Sequence, residues 1–407
     1  MKFIVATYGT DGDTRPLSAL CRGLMDAGHE VRLFADGGTL GSAEALGIPA
    51  AALAGDIKAV LRQGDVAAGR SGFKNLTAAF ARIANANTAS WMQDIAAAAQ
   101  GCDAIILSGL AAFAGLSVAE QLDIPAIGLG LIPITPTTAF PSPFLPPGQL
   151  PRWLNRSSHR LVNALVWRVF RKATNAARIS VCGLPPRRSV WTDHPMLYGI
   201  SPSLLPRPDD WPANAQICGQ WLSPAPDWSP PQDLGEFLAA GAPPLYVGFG
   251  SMAGFDRRAL FDAVIAAVAG RRALFYAGWS GIDTAALPEN FLAIGETPHD
   301  WLFPRTSLVI HHGGSGTTHS AARAGVPSVV VPFAGDQPFW ADRLQHLGVA
   351  GRAVTARGLS AAALARGIDF AESAGDRAAA LGRQMAAEDG VTTTIAAIET
   401  IMARSRP

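Results

Sequence analysis

Leu308-Val309-Ile310-His311-His312-Gly313-Gly314-Ser315-Gly316-Thr317-Thr318 runs from an apolar strand, through glycines, straight into the start of a helix. The first N–H groups of a helix have no intrahelical partner and carry a partial positive charge, so they stabilise a phosphate or diphosphate without a metal. Glycines beside them let the backbone approach such a ligand closely. The glycine spacing is not G-x-G-x-x-G and no G-K-[ST] follows, which argues against a P-loop ATPase. His312 opens the turn, and its imidazole can donate to a phosphate oxygen; the alternative is a hydrogen-bonded histidine at a strand end. The spacings of His299, His311, His312 and His319 match no usual zinc pattern.

One strand further on, Val331-Pro332-Phe333-Ala334-Gly335-Asp336-Gln337-Pro338 puts a carboxylate and a carboxamide in a loop after a strand, where open α/β sheets bind ligands. Together they offer acceptors and donors to a polyol, although Asp336 could instead cap the following helix.

The surrounding pattern sets the fold class. Residues 245–249, 273–276, 291–294, 308–311 and 328–331 read as strands, with helices over 257–269, 317–324 and 338–347. Residues 2–8, 30–35, 103–107 and 124–129 repeat the alternation, with helices after the turn Gly9-Thr10-Asp11-Gly12-Asp13 and over 111–121. The first of these helices is expected to open around Pro16. Alternating strands and helices imply α/β lobes with doubly wound parallel sheets. Residues 206–244, dense in proline, read as the link between two lobes, giving domains at 1–215 and 216–388 and a last helix within 389–407.

With 407 residues, the chain has room for two or three domains. Half of it is hydrophobic (49%), which excludes disorder, and a net charge of +1 supplies no global field for nucleic acid. The mean hydropathy of +0.19 comes from short apolar runs rather than from a span of about 20 residues. An N-terminus that runs directly into a strand, and isolated cysteines at 21, 102, 182 and 218, lead to the expectation of a cytoplasmic protein.

His311 to Thr318, followed by Ala324-Gly325-Val326-Pro327 and Asp336-Gln337, closely resembles the donor-binding signature of nucleotide-sugar glycosyltransferases with the GT-B fold. Pro298-His299-Asp300-Trp301-Leu302-Phe303-Pro304 and Gly9 to Pro16 are similar to the sterol and antibiotic branches of that family. Phe140-Pro141-Ser142-Pro143-Phe144, Tyr198-Gly199-Ile200-Ser201-Pro202 and Gly248-Phe249-Gly250-Ser251-Met252 resemble the sterol branch. The resemblance covers almost the whole chain. It implies two facing Rossmann-like lobes with a cleft between them, and a C-terminal helix crossing back to the first. It also implies transfer of a hexose, most often from UDP-glucose, with inversion. Donor contacts are implied for Ser251, His299, His312, Gly314, Ser315, Gly316, Thr317, Asp336 and Gln337, with residues 297–301 bordering the base.

The same resemblance places the catalytic base at Asp13, where spacing alone would allow a helix cap. The commonest family form at this point is Ser-Arg-Gly-Asp, whereas this chain has Thr10-Asp11-Gly12-Asp13, so the arginine has no counterpart at position 11. Asp11-Gly12-Asp13 also spells D-x-D, but two carboxylates without a phosphate cradle make a weak metal site, and no metal or other cofactor is expected. The apolar, proline-rich stretch 131–151 suits a lipophilic alcohol acceptor, with Thr10, Phe140 and Phe144 as candidate contacts. Residues 152–178 mix basic and apolar side chains as an amphipathic helix would, which suits either a solvated lobe helix or peripheral contact with an anionic membrane. A nucleotide-sugar epimerase and a non-catalytic nucleotide-sugar binder are the rival readings.

Overall fold

A computed structural model describes residues 1–59, 71–223, 228–250, 257–276, 278, 287–355 and 359–405. The first lobe is a sheet of β1 (Lys2–Ala6), β2 (Glu30–Asp36), β3 (Ala50–Leu53), β4 (Ala104–Leu107), β5 (Ala126–Gly130), β6 (Met196–Tyr198) and β7 (Ala215–Ile217). Its strands run parallel in the order β3-β2-β1-β4-β5-β6-β7. The second sheet contains β8 (Leu245–Gly248), β9 (Ala273–Tyr276), β10 (Phe291–Ile294), β11 (Leu308–His311) and β12 (Ser328–Val330), parallel in the order β10-β9-β8-β11-β12. Both sheets are doubly wound, with the order reversing between β1 and β4 in one and between β8 and β11 in the other. Ligand crevices of open α/β sheets form at such reversals, outside the carboxyl ends of the strands.

The central strands are apolar because helices cover both faces. In β4 all four residues of Ala-Ile-Ile-Leu are buried. One face of the first sheet packs on α1 (Asp11–Asp26) through Leu17, Leu20 and Leu24; the other packs on α3 (Ser71–Ala98) and α4 (Ala112–Leu122) through Trp91, Ile95 and Val118. A short α2 (Gly41–Ala45) and the long α5 (Asn155–Ser180) complete this lobe. The second lobe carries α6 (Gln232–Ala239), α7 (Arg257–Val268), α8 (His299–Leu302), α9 (Ser315–Arg323), α10 (Gln337–His346), α11 (Ala361–Glu372) and α12 (Gly375–Ala386). The last helix, α13 (Gly390–Ser405), returns to the first lobe. Ala397, Ile398 and Met402 enter the core around α1, and Trp221 Nε1 donates to Thr394 Oγ1 at 2.7 Å.

Two details differ from the sequence expectation, and a third agrees with it. The boundary at 215 cuts β7: the first sheet continues to Ile217, because a three-residue strand among prolines carries no alternating pattern to mark it. Helix α1 begins at Asp11 rather than around Pro16, since the Asp13 carboxylate receives the Thr10 N–H and closes the first turn early. The stretch 131–151 is irregular, as its prolines dictate, but it is tied down: Tyr198 binds Thr135, Asp210 binds Thr137 and Thr138, and Ser158 binds Ser142.

Candidate active site

One cavity of about 400 Å³ lies between the lobes, at both sheet reversals. Thr10, Asp11, Asp13 and Arg15 line it from the turn after β1; His312, Gly314, Ser315, Gly316 and Thr317 line it from the turn after β11. Asp336, His299 and Thr297 complete the second-lobe wall, and Leu131 and Ile132 reach in from the end of β5. Two sequence-distant turns thus face each other because each follows the strand at which its sheet changes direction.

Gly314 is the N-cap of α9, with extended backbone angles (φ −62°, ψ 146°), so the N–H groups of Ser315, Gly316 and Thr317 open the helix. Gly313 has φ +88°, a conformation that glycine adopts without strain, and this turns the chain from β11 into the helix. The His312 imidazole lies against this turn; a Cβ on Gly314 would come within 2.5 Å of its Nε2. Burial lowers the His312 pKa to about 4, so the ring is neutral at pH 7, and its buried Nδ1 has no protein partner among the described residues. The ring thus turns its Nε2 edge toward the N-cap of α9.

Asp13 works as a cap and faces the cleft at the same time. Its Oδ2 accepts from Thr10 N at 2.8 Å and from Thr10 Oγ1 at 3.2 Å, while Oδ1 has no protein donor among the described residues. Burial raises its pKa, the Thr10 hydrogen bonds oppose the rise, and Asp11 adds to it. The carboxylate folds back over Gly9, where a Cβ would stand 2.2 Å from Oδ2.

Asp336 occupies the N-cap position of α10, yet its side chain makes no capping bond. Its Oδ2 instead accepts from Trp340 Nε1 at 2.7 Å. Burial raises its pKa to about 6; the Trp340 bond opposes this, and the charge of Asp13 across the cavity pushes it further up.

The remaining expected residues fall in varied places. Ser315 Oγ donates to Leu131 O of the other lobe at 3.1 Å, so its hydroxyl joins the lobes and its backbone N–H is the group at the helix start. Gln337 is buried at 7% exposure and outside the cavity lining, and its Oε1 accepts from Phe333 N and Ala334 N, bracing the loop ahead of α10. His299 lines the cavity and stacks on Phe303 at 4.3 Å, with its pKa lowered to about 4 by burial. Trp301 packs instead against Trp228 and under Arg305. Phe140 meets Phe339 of the other lobe at 5.1 Å, and Phe144 is 42% exposed; neither lines the cavity, whereas Thr10 does. Ser251 lies outside the described residues.

Sequence reading missed His319. Its Nδ1–H donates to Ser315 O at 2.7 Å, and its Nε2 accepts from Ser201 N of the first lobe at 3.2 Å. The histidine therefore fixes the start of α9 relative to the Tyr198-Gly199-Ile200-Ser201 segment, and burial lowers its pKa to about 4. The available signal was the four-residue spacing from Ser315, which places both on one helix face. Arg15 and Glu296, 4.0 Å apart across the mouth of the cleft, were also missed. Among the described residues, no group of three or more His, Cys, Asp or Glu side chains is placed to hold a metal ion.

Comparison with known proteins places this geometry among relatives. The family described as "Erythromycin biosynthesis protein CIII-like, C-terminal domain" matches residues 271–398. A sterol 3-beta-glucosyltransferase of Emericella nidulans is 33% identical over 98% of this chain and 30% of the relative. One of Komagataella phaffii is 31% identical over 97% of this chain and 34% of the relative. The chain thus spans about a third of the length of these relatives. Among solved structures, the glycosyltransferase of kitacinnamycin superposes with a TM-score of 0.72 at 18% identity, covering 98% of each chain. The glycosyltransferase VinC in complex with dTDP superposes at 0.71 with 19% identity, covering 100% of each chain.

Proposed function

We propose that this chain, which has the GT-B fold and is homologous along its length to a segment of the sterol 3-beta-glucosyltransferases, is itself a glycosyltransferase. It moves a hexose, glucose from UDP-glucose in the first instance, to the hydroxyl of a sterol or another lipophilic alcohol, with inversion. The observation that carries the reading is the pairing, across one cavity, of the α9 N-terminus and the His312 imidazole against it with the Asp13 carboxylate of the other lobe.

The roles follow from where charge develops. The acceptor hydroxyl gives its proton to Asp13 as its oxygen forms the new bond to the anomeric carbon. The bond from that carbon to the diphosphate breaks, and the electron pair leaves with the diphosphate. The N–H groups of Ser315, Gly316 and Thr317, together with the neutral His312 imidazole, stabilise that growing charge, so no divalent cation is needed. A raised Asp13 pKa suits a base, since a more basic carboxylate takes the proton more readily. Asp336 holds sugar hydroxyls, its carboxylate oriented by the Trp340 bond.

The test is product analysis by mass spectrometry with UDP-glucose, TDP-glucose and a panel of sterols, flavonoids and macrolides, with EDTA present. A glycoside is expected with a sterol or similar acceptor. Asp13→Asn should lower turnover by roughly 10²–10⁴-fold with nucleotide affinity nearly unchanged, whereas His312→Ala should weaken UDP binding. Altered UDP-sugar without any glycoside would mean an epimerase, and bound UDP without turnover a binder; either outcome refutes the proposal.

A further inference from the structure

Helix α5 presents one exposed apolar face among the described residues. Leu161, Leu165 and Val169 follow one another at four-residue spacing and are 60%, 51% and 50% exposed. Ahead of the helix, Trp153 is 77% exposed. An exposed apolar row of this kind on a helix that is otherwise packed marks a contact surface.

The charges beside it carry one sign. Helix α5 contains Arg156, Arg160, Arg168, Arg171, Lys172 and Arg178 and no Asp or Glu. Two of these are used inside the protein: Arg178 is fully buried against Glu120, and Arg156 meets Asp210. Glu120 also takes Arg187, and Asp210 binds Thr137 and Thr138, so the nearby carboxylates are engaged. Arg168 and Arg171 instead line a groove of about 440 Å³, joined by Arg188 from the loop after the helix. None of these three arginines makes an ion pair among the described residues. Trp167 closes the groove floor, held by its Nε1 bond to Arg188 O.

We propose that this face of α5 docks on an anionic lipid bilayer, the apolar row entering the headgroup boundary and the arginine groove receiving lipid phosphates. The apolar row and, beside it, arginines without an ion pair among the described residues are the two halves of an interfacial surface, and neither alone would select a bilayer. A protein partner would need carboxylates set opposite three arginines, while a bilayer supplies anions at any register. The helix also carries the acceptor loop: Asn155, Ser158, His159 and Asn163 bond to residues 134–142, and the start of that loop lines the cleft. Docking would therefore bring the cleft's acceptor side to the membrane, a consequence that rests on the transfer reading, whereas the docking itself does not.

Sedimentation of the full chain with phosphatidylcholine vesicles, with and without phosphatidylserine, tests the proposal in the absence of donor and acceptor. The chain should pellet with the anionic vesicles and be released by high salt. Each basic residue near such a surface contributes about fivefold in partition, so Arg168→Gln/Arg171→Gln/Arg188→Gln should lose about a hundredfold. Leu161→Ser/Leu165→Ser/Val169→Ser should lose binding to a similar extent. Circular dichroism keeps the comparison to folded variants. No pelleting of the unmodified chain, or equal pelleting of folded variants, would overturn the proposal. A dimer in sedimentation velocity that Leu165→Ser dissociates would also overturn it, assigning the face to a second copy. Because no sugar transfer is measured, failure here leaves the catalytic reading standing, and the reverse also holds.

Discussion

Replacing Asp336 by Asn isolates what the cleft costs the fold. An ordinary aspartate has a pKa of 3.8, and burial lifts that of Asp336 to about 6. The folded state therefore holds this proton more tightly than the unfolded chain, and ionising the group at neutral pH opposes folding. The difference corresponds to about 3 kcal/mol, present in full above pH 6, shrinking as pH falls toward 4 and gone below the unfolded value. Asn keeps an oxygen for Trp340 Nε1 and removes the charge, so the variant should be more stable at pH 8. With a slope of about 2–3 kcal/mol per molar urea, its unfolding midpoint should rise by about 1 M. At pH 4 the two midpoints should converge. The buried histidines cancel in this comparison because both proteins carry them. Glucoside formation should fall in the same variant, as expected when a side chain serves the ligand at the fold's expense. A stability gap that does not change with pH, or a variant less stable at pH 8, would refute the burial argument.

Two further substitutions probe how the site is held. Gly9→Ala places a Cβ against Asp13 Oδ2 and should displace the carboxylate while leaving the fold intact; turnover should fall by roughly 10²-fold with UDP affinity retained, and unchanged kinetics would contradict the arrangement. His319→Phe keeps a ring beside Trp340 but removes the bonds to Ser201 N and Ser315 O; a loss of about 1–3 kcal/mol in urea unfolding is expected, and no loss would mean that the histidine does not couple the lobes.

Local chemistry made much of this protein legible from its residues. The α/β alternation followed from apolar runs broken by glycine and proline. The glycine-rich turn followed from glycines between a strand and a helix, because the unpaired N–H groups of a helix start belong to the backbone and need no distant partner. Asp13 and Asp336 could be singled out in the same way, but in each case a cap competed with a ligand contact. The coordinates separated the two: Asp13 Oδ2 caps its helix and leaves Oδ1 without a donor among the described residues, while the Asp336 side chain makes no capping bond and turns to Trp340.

What only the tertiary structure decided are the relations between segments far apart in the chain. Residues 13 and 312 share a cavity because each follows a strand at which its sheet reverses order, and strand order is set by packing over hundreds of residues. The bonds from Ser315 to Leu131 and from His319 to Ser201 depend on the same closure, as does the return of α13 to the first lobe. Gln337 and Phe140 sat in suggestive motifs, yet one braces its own loop and the other packs between lobes. A motif fixes which groups a segment offers; burial and neighbours, which are non-local, determine what each group is left to bind.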